Sequence, residues 1–118
     1  MAHHSFAAEF DAKKPIHLTG TVTGVEWTNP HAWIHLSVKS PDGKLTQWMI
    51  EAGGPNTLLR RGLTKDSFKT GTEIVVDGYQ AKDGSHNGNG QDVTLPDGRK
   101  LSLRSSETGA PYTEKSGK

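Results

Sequence analysis

Eight residues about a third of the way along the chain constrain its fold more than any others. From position 31 to 38 the sequence HAWIHLSV places Ala32, Ile34, Leu36 and Val38 at every second position, with His31, Trp33, His35 and Ser37 between them. A strict period of two puts these sets on opposite faces of an extended strand, one for a core and one for solvent. Turn chemistry bounds the strand on both sides, with Asn29-Pro30 before it and Pro41-Asp42-Gly43 after it. The second turn sends the chain back through residues 45–52, where Trp48 and Ile50 share a face.

A hairpin with one apolar face needs further strands to cover it. Residues 18–27 (LTGTVTGVEW) are rich in Thr and Val, and the internal Gly20 and Gly24 predict a strongly bent strand of the kind found at barrel corners. Residues 53–62 change period: Pro55 near the first helical position and Gly62 just past the last predict a short helix. One more turn is expected at 64–68, capped by Thr64 with Asp66 in its first turn. Strands follow at 72–79, 92–95 and 100–104, the last two joined by Pro96-Asp97-Gly98. The glycine- and asparagine-rich stretch 82–91 reads as a flexible loop. Residues 1–15 read as an arm with Phe6 and Phe10 at helical spacing, and 105–118 as a flexible tail. Three bent strands, a short helix and two or three more strands is the order of an OB-type barrel. The chain is therefore expected to be all-β, a small β-barrel of five to six strands with one helix between strands 3 and 4, occupying residues 16–104. A small β-sandwich is the alternative, but it would not ordinarily place a helix there.

Composition narrows the function classes. At 118 residues the chain fits one domain, and its 31% hydrophobic residues and mean hydropathy of −0.66 suit a barrel whose strands each bury one face. Fourteen basic against thirteen acidic residues leave a formal charge of +1, too little for bulk attraction to nucleic acid or anionic membrane. The absence of cysteine removes disulfides, thiolate metal sites and cysteine nucleophiles together. No apolar run approaches the roughly 20 residues of a spanning helix. The start Met1-Ala2-His3-His4-Ser5 is abrupt, and a small residue ahead of a polar start is also what remains beyond a signal-peptidase site. Met1 then reads as an initiator in place of a removed signal peptide; a natural start is the other reading.

Three segments, EWTNPHAWIHL (residues 26–36), GGPNTLLRRGLTKDS (53–67) and TLPDGRKL (94–101), together make the chain resemble a family of small exported bacterial proteins catalogued as a domain of unknown function. The mature chains of that family often open with an HHSF-like start. The resemblance covers nearly the whole chain and implies a periplasmic location and an OB-like fold, with no assigned activity or functional residues.

The six histidines come first as carriers of chemistry. His3 and His4 stand at the chain start, where a free amine can join them. With Ala2 as the terminus, the amine, two amides and His3 complete a square nitrogen set of the kind Cu(II) or Ni(II) prefers. With His3 as the terminus, its amine and imidazole chelate copper and a second histidine closes the set. Both routes point to copper; a solvated terminus is the bland alternative. His31 and His35 share a strand face but stand ~13 Å apart along it, too far to hold one ion unless the strand bends. Each could still join His17 or His3. His17 and His86 read as solvated loop residues. Trp27, Trp33 and Trp48 fall on the strands that form an OB binding face, with Trp33 and Trp48 the expected ligand contacts. Without a basic stripe, nucleic acid is not an expected partner. Arg60-Arg61 complements a helix dipole. Glu26 and Glu51 end strands, but nothing in the sequence pairs them. Two functions follow: a periplasmic copper-binding protein using His3, His4, His31 and His35, or an envelope module that binds protein or ligand through Trp33, Trp48 and residues 82–91. No nucleophile elbow, phosphate loop or metal triad supports an enzyme.

Overall fold

The computed structural model describes residues 9–105. Six strands, β1 (Phe10–Glu26), β2 (Trp33–Lys39), β3 (Leu45–Glu51), β4 (Glu73–Ala81), β5 (Asn87–Thr94) and β6 (Lys100–Ser102), form one sheet in the order β3-β2-β1-β4-β5-β6. A further parallel pairing, Met49 with Asn87 through Glu51 with Asn89, joins β3 to β5 and closes five of the strands into a barrel-like ring. The long β1 serves two partners. Its second half pairs with β2 and its first half with β4, and the ladder slips between Val22 and Gly24 where the strand must turn.

Alternation fixes the interior. Ile34 and Leu36 of β2 and Ile50 of β3 are fully buried, together with Val22, Ile74, Val76 and Val93 from the other strands. The helix α1 (Pro55–Arg60) follows β3, and a 3-10 turn (Lys65–Phe68) follows α1. Pro55 opens α1 and Gly62 stands beyond it at φ +92°, as expected of a residue that ends a helix in the left-handed region. Leu58, Leu63 and Phe68 go into the core with no measurable exposure beyond 1%. Each such burial is worth about 1.5–3 kcal/mol, which holds a short helix in place that would not persist alone. Thr64 and Ser67 cap the 3-10 turn reciprocally. The all-β, barrel-like architecture with its helix between the third and fourth strands is as expected.

Two local expectations are corrected. The strand expected at 92–95 begins earlier, at Asn87, so residues 87–91 are strand rather than flexible loop, with Gly88 to Gln91 buried. The reason is closeness. A Cβ on Gly88 would come within 2.7 Å of the Ile16 Cδ1, and one on Gly90 within 2.8 Å of both Ile50 Cγ2 and Leu103 Cδ1. The glycines that mimic a loop composition are what let β5 lie against the core and reach β3. Asn89 and Gln91, also buried, satisfy one another through an amide hydrogen bond of 2.5 Å. Secondly, β1 begins at Phe10, not after Pro15, and Phe10 is buried opposite Ala81. Phe10 thus belongs to a strand and not to a helical face. Phe6 and the tail beyond Ser105 lie outside the described residues.

Close packing at the closure gives a direct test. A Cβ on Gly78, which pairs with Gly90, would overlap the Asn89 carbonyl oxygen, whereas Gly24 has nothing within 4 Å. Urea denaturation should show Gly78→Ala losing about 1–3 kcal/mol, as overpacked sites do. Gly24→Ala should stay within about 0.5 kcal/mol of the parent or gain slightly.

Candidate functional site

The polar face of β2 meets three carboxylate- or sulfur-bearing neighbours. Trp33 pairs with Glu26 of β1 on one side and with Glu51 of β3 on the other, and His35 pairs with Met49 of β3. The histidines on either side of Trp33 each take one of the two glutamates. His31 Nδ1 lies 2.7 Å from Glu51 Oε2, with both side chains largely covered. His35 Nε2 lies 2.6 Å from Glu26 Oε2, in a more open position. The second ring nitrogen of His31, Nε2, is buried with no hydrogen-bond partner.

Two of the sequence segments that carry the resemblance come together here. Ala32 and residues 52–53 exchange backbone hydrogen bonds: the Ala32 amide donates to the Gly53 carbonyl and the Ala52 amide to the Ala32 carbonyl. Gly54 lies against Pro30, where a Cβ would come within 2.7 Å of the Pro30 carbonyl oxygen. Arg61, just beyond α1, donates from Nη1 to the carbonyl oxygens of Ser102 and Arg104 at 3.2 and 2.6 Å. The Arg60-Arg61 pair is therefore divided: Arg61 ties the helix to the last strand, and Arg60 is exposed in the last turn.

Continuing across the sheet from His35, the row runs through Met49 to Asn87 of β5, and the neighbouring end of β4 sets Ala81 against Phe10. Met49 and Asn87 of this row help to wall a cleft of about 410 Å³. Trp33, Met49, Phe10 and Ala81 give it apolar surface, while Glu9, Lys82, Asp83, Ser85 and Asn87 bring polar groups to it. A concavity of this size that combines an apolar wall with polar groups falls within the range of small-ligand sites. The turn that rims it is held by Asp83, whose carboxylate accepts the Ser85 amide at 2.9 Å. Hydrogen bonds from the Ser85 hydroxyl and amide hold the Asp83 carboxyl below its ordinary value of 3.8.

The two tryptophans expected to act together are on opposite faces. Trp48 pairs with the fully buried Leu36, packs against the core and lies with its ring centroid 5.0 Å from that of His86. Trp33, two residues from His35, lines the cleft. Trp27 is a third case, packed against the core with its ring 6.4 Å from Phe68. The expected single aromatic surface does not form, because a strand pairing that puts Leu36 inward puts its partner inward as well. His31 and His35 serve separate carboxylates, and His17 is paired with neither. It is a strand residue opposite Asp77, 2.5 Å from that carboxylate. His3 and His4 lie outside the described residues. Among the described residues no three His, Asp or Glu side chains stand together as a metal site, and no helix is long and apolar enough to cross a membrane.

Met49 was not among the residues the sequence singled out. Its signal is the register: the turn is centred on Asp42, so His35 and Met49, each seven residues from it, must face one another.

Fold and site together define a small all-β domain with a side-wall cleft beneath one exposed-face tryptophan. The chain belongs to a family of unknown function, DUF6152, which it matches over residues 1–91. Neither the curated proteins nor the solved structures yield a match.

Two measurements probe the site's polar framework. Glu51→Gln keeps shape but removes the charge facing His31, and should lower the unfolding free energy in urea by about 1.5–3 kcal/mol, the worth of a hydrogen bond to a charged group. Because the folded-state value of Asp83 is depressed, its hydrogen bonds hold above the ordinary carboxyl range and are lost as pH falls through that lower value. The Ser85 amide resonance should accordingly titrate with a midpoint below 3.8, and lose that transition in Asp83→Asn.

Proposed function

We propose that this protein is a non-enzymatic binding module of the periplasm, and that the cleft beside Trp33 is its binding site. The observation that carries the reading is the coincidence of three things at one place. The cleft has the volume of a small-ligand site, it is walled by Trp33, Met49 and Phe10, and it is rimmed by the structured turn after β4. That turn belongs to the stretch 82–91 whose composition first suggested a contact surface. Its second half, strand in the structure, gives the rim a fixed base. The periplasmic location rests on the resemblance to exported chains.

The apolar wall favours a ligand that covers Trp33. At the cleft itself Glu9 and Asp83 meet the amine of Lys82, and Lys14 stands close enough to Asp83 to help lower its carboxyl, so the lining charges are nearly balanced. A partner protein would have to insert a side chain here to use the same surface.

Nile red, a neutral apolar fluorophore, tests whether the cleft accepts a ligand at all. Saturable one-to-one binding with enhanced emission is expected. Trp33→Ala, which removes the wall, and Ala81→Phe, which fills the space, should each weaken it at least about tenfold, a loss near 1.4 kcal/mol. Binding that both variants leave unchanged would overturn the assignment of the cleft.

A further inference from the structure

We infer that the outer face of the β2–β3 hairpin at the edge of this cleft is a site for a soft monovalent metal ion, Cu(I), held by Met49 Sδ and His35 Nδ1 and covered by the ring of Trp33. The inference rests on the cleft being a binding site and names its ligand class.

Four observations on different residues converge. First, His35 and Met49 are direct cross-strand partners, so their Cβ atoms stand roughly 4.5–5.5 Å apart on one face. An imidazole and a thioether carried at that spacing can both reach an ion between their ends. Second, the tautomer of His35 is set. Its Nε2 is engaged with the Glu26 carboxylate at 2.6 Å, which places the N–H there and the lone pair on Nδ1. A carboxylate behind a ligating histidine is the usual outer support of a metal site, fixing the ring and raising its basicity. Third, Trp33 sits two residues before His35 and lines the cleft beside Met49. An indole face is the best of the aromatic partners for a bare cation. Fourth, Glu26 and Glu51 flank Trp33 on the two neighbouring strands, and their carboxylates favour positive charge at the hairpin face.

The donor set selects the ion. A thioether is a soft, neutral ligand that suits Cu(I) and gives little to Zn(II) or Mg(II), and imidazole is compatible with Cu(I) as well. One nitrogen and one sulfur with an aromatic cover is too few ligands, and the wrong geometry, for Cu(II), which favours a tetragonal nitrogen and oxygen set. The site therefore differs from a terminal copper chelate built on His3 and His4 in ligands and in oxidation state. Binding changes no oxidation state and needs no co-reactant.

The full chain should be titrated anaerobically with Cu(I), with bicinchoninate as competing chelator, and in parallel with Ag(I) as a redox-inert substitute. One ion should bind and quench tryptophan emission, and Nile red should be displaced. Met49→Leu and His35→Gln should each weaken Cu(I) by more than the roughly 10–100-fold typical of losing an outer support. Glu26→Gln should fall within that range, and the double variant His3→Ala with His4→Ala should stay within about threefold of the parent. Circular dichroism of each variant confirms that the fold is kept. Parent-like Cu(I) affinity in both Met49→Leu and His35→Gln would overturn the site, and loss only in the His3, His4 variant would transfer the metal to the terminus. Absence of Cu(I) binding with intact, Trp33-dependent Nile red binding would remove the metal while leaving the cleft as a binding site. Loss of Trp33 dependence for both probes would remove the two readings together.

Discussion

The parallel contact between β3 and β5 is the constraint on which the rest of the structure depends. Without it the six strands would form an open sheet with β3 as a bare edge. With it, one apolar face of each strand is enclosed and the helix can close the interior with Leu58. The contact exists because β5 presents hydrogen atoms where other strands present side chains. Gly88 and Gly90 face Ile16, Ile50 and Leu103 at distances that no larger residue could share. A thin strand is thus what allows a lean sequence to close around a small core.

The same closure builds the cleft. Pairing Met49 with Asn87 brings the outer face of the hairpin beside the turn after β4, and pairing Phe10 with Ala81 supplies the opposite wall. Neither the aromatic residue nor the turn makes a concavity alone. Trp33 on an isolated hairpin would lie flat against water. The site is a property of the ring, although most of its side chains come from β2 and β3.

Much of the scaffold was legible in the sequence, because alternation, turn chemistry and helix punctuation are local signals. The strand from Trp33 to Lys39, the hairpin at Asp42, the helix opened by Pro55 and ended before Gly62, and the cap at Thr64 all arise within a few residues of themselves. The first half of β5 was not legible, since its glycines record the proximity of Ile16 and Ile50, which lie far away in the chain. The site was half legible. Trp33, His31 and His35 stood out by type, but the glutamates that engage the two histidines became partners only through the register of three strands. Trp48 was misleading for the converse reason: tryptophan on a strand says nothing about which face it takes until its partner, Leu36, is known. Met49 carried a readable register and no conspicuous chemistry of its own.

The alternation in β2 has a consequence for folding fidelity. Ile34 and Leu36 build the core while Trp33 and His35 serve the surface, so structure and recognition are written in interleaved letters of a single strand. A slip of one residue against β3 would exchange the two sets, burying an imidazole and an indole and giving isoleucine and leucine to water. Such a species would lose its core and its cleft in the same event. Misregistered molecules would lack the cleft altogether, so any binding measured there would count only the correctly threaded fraction.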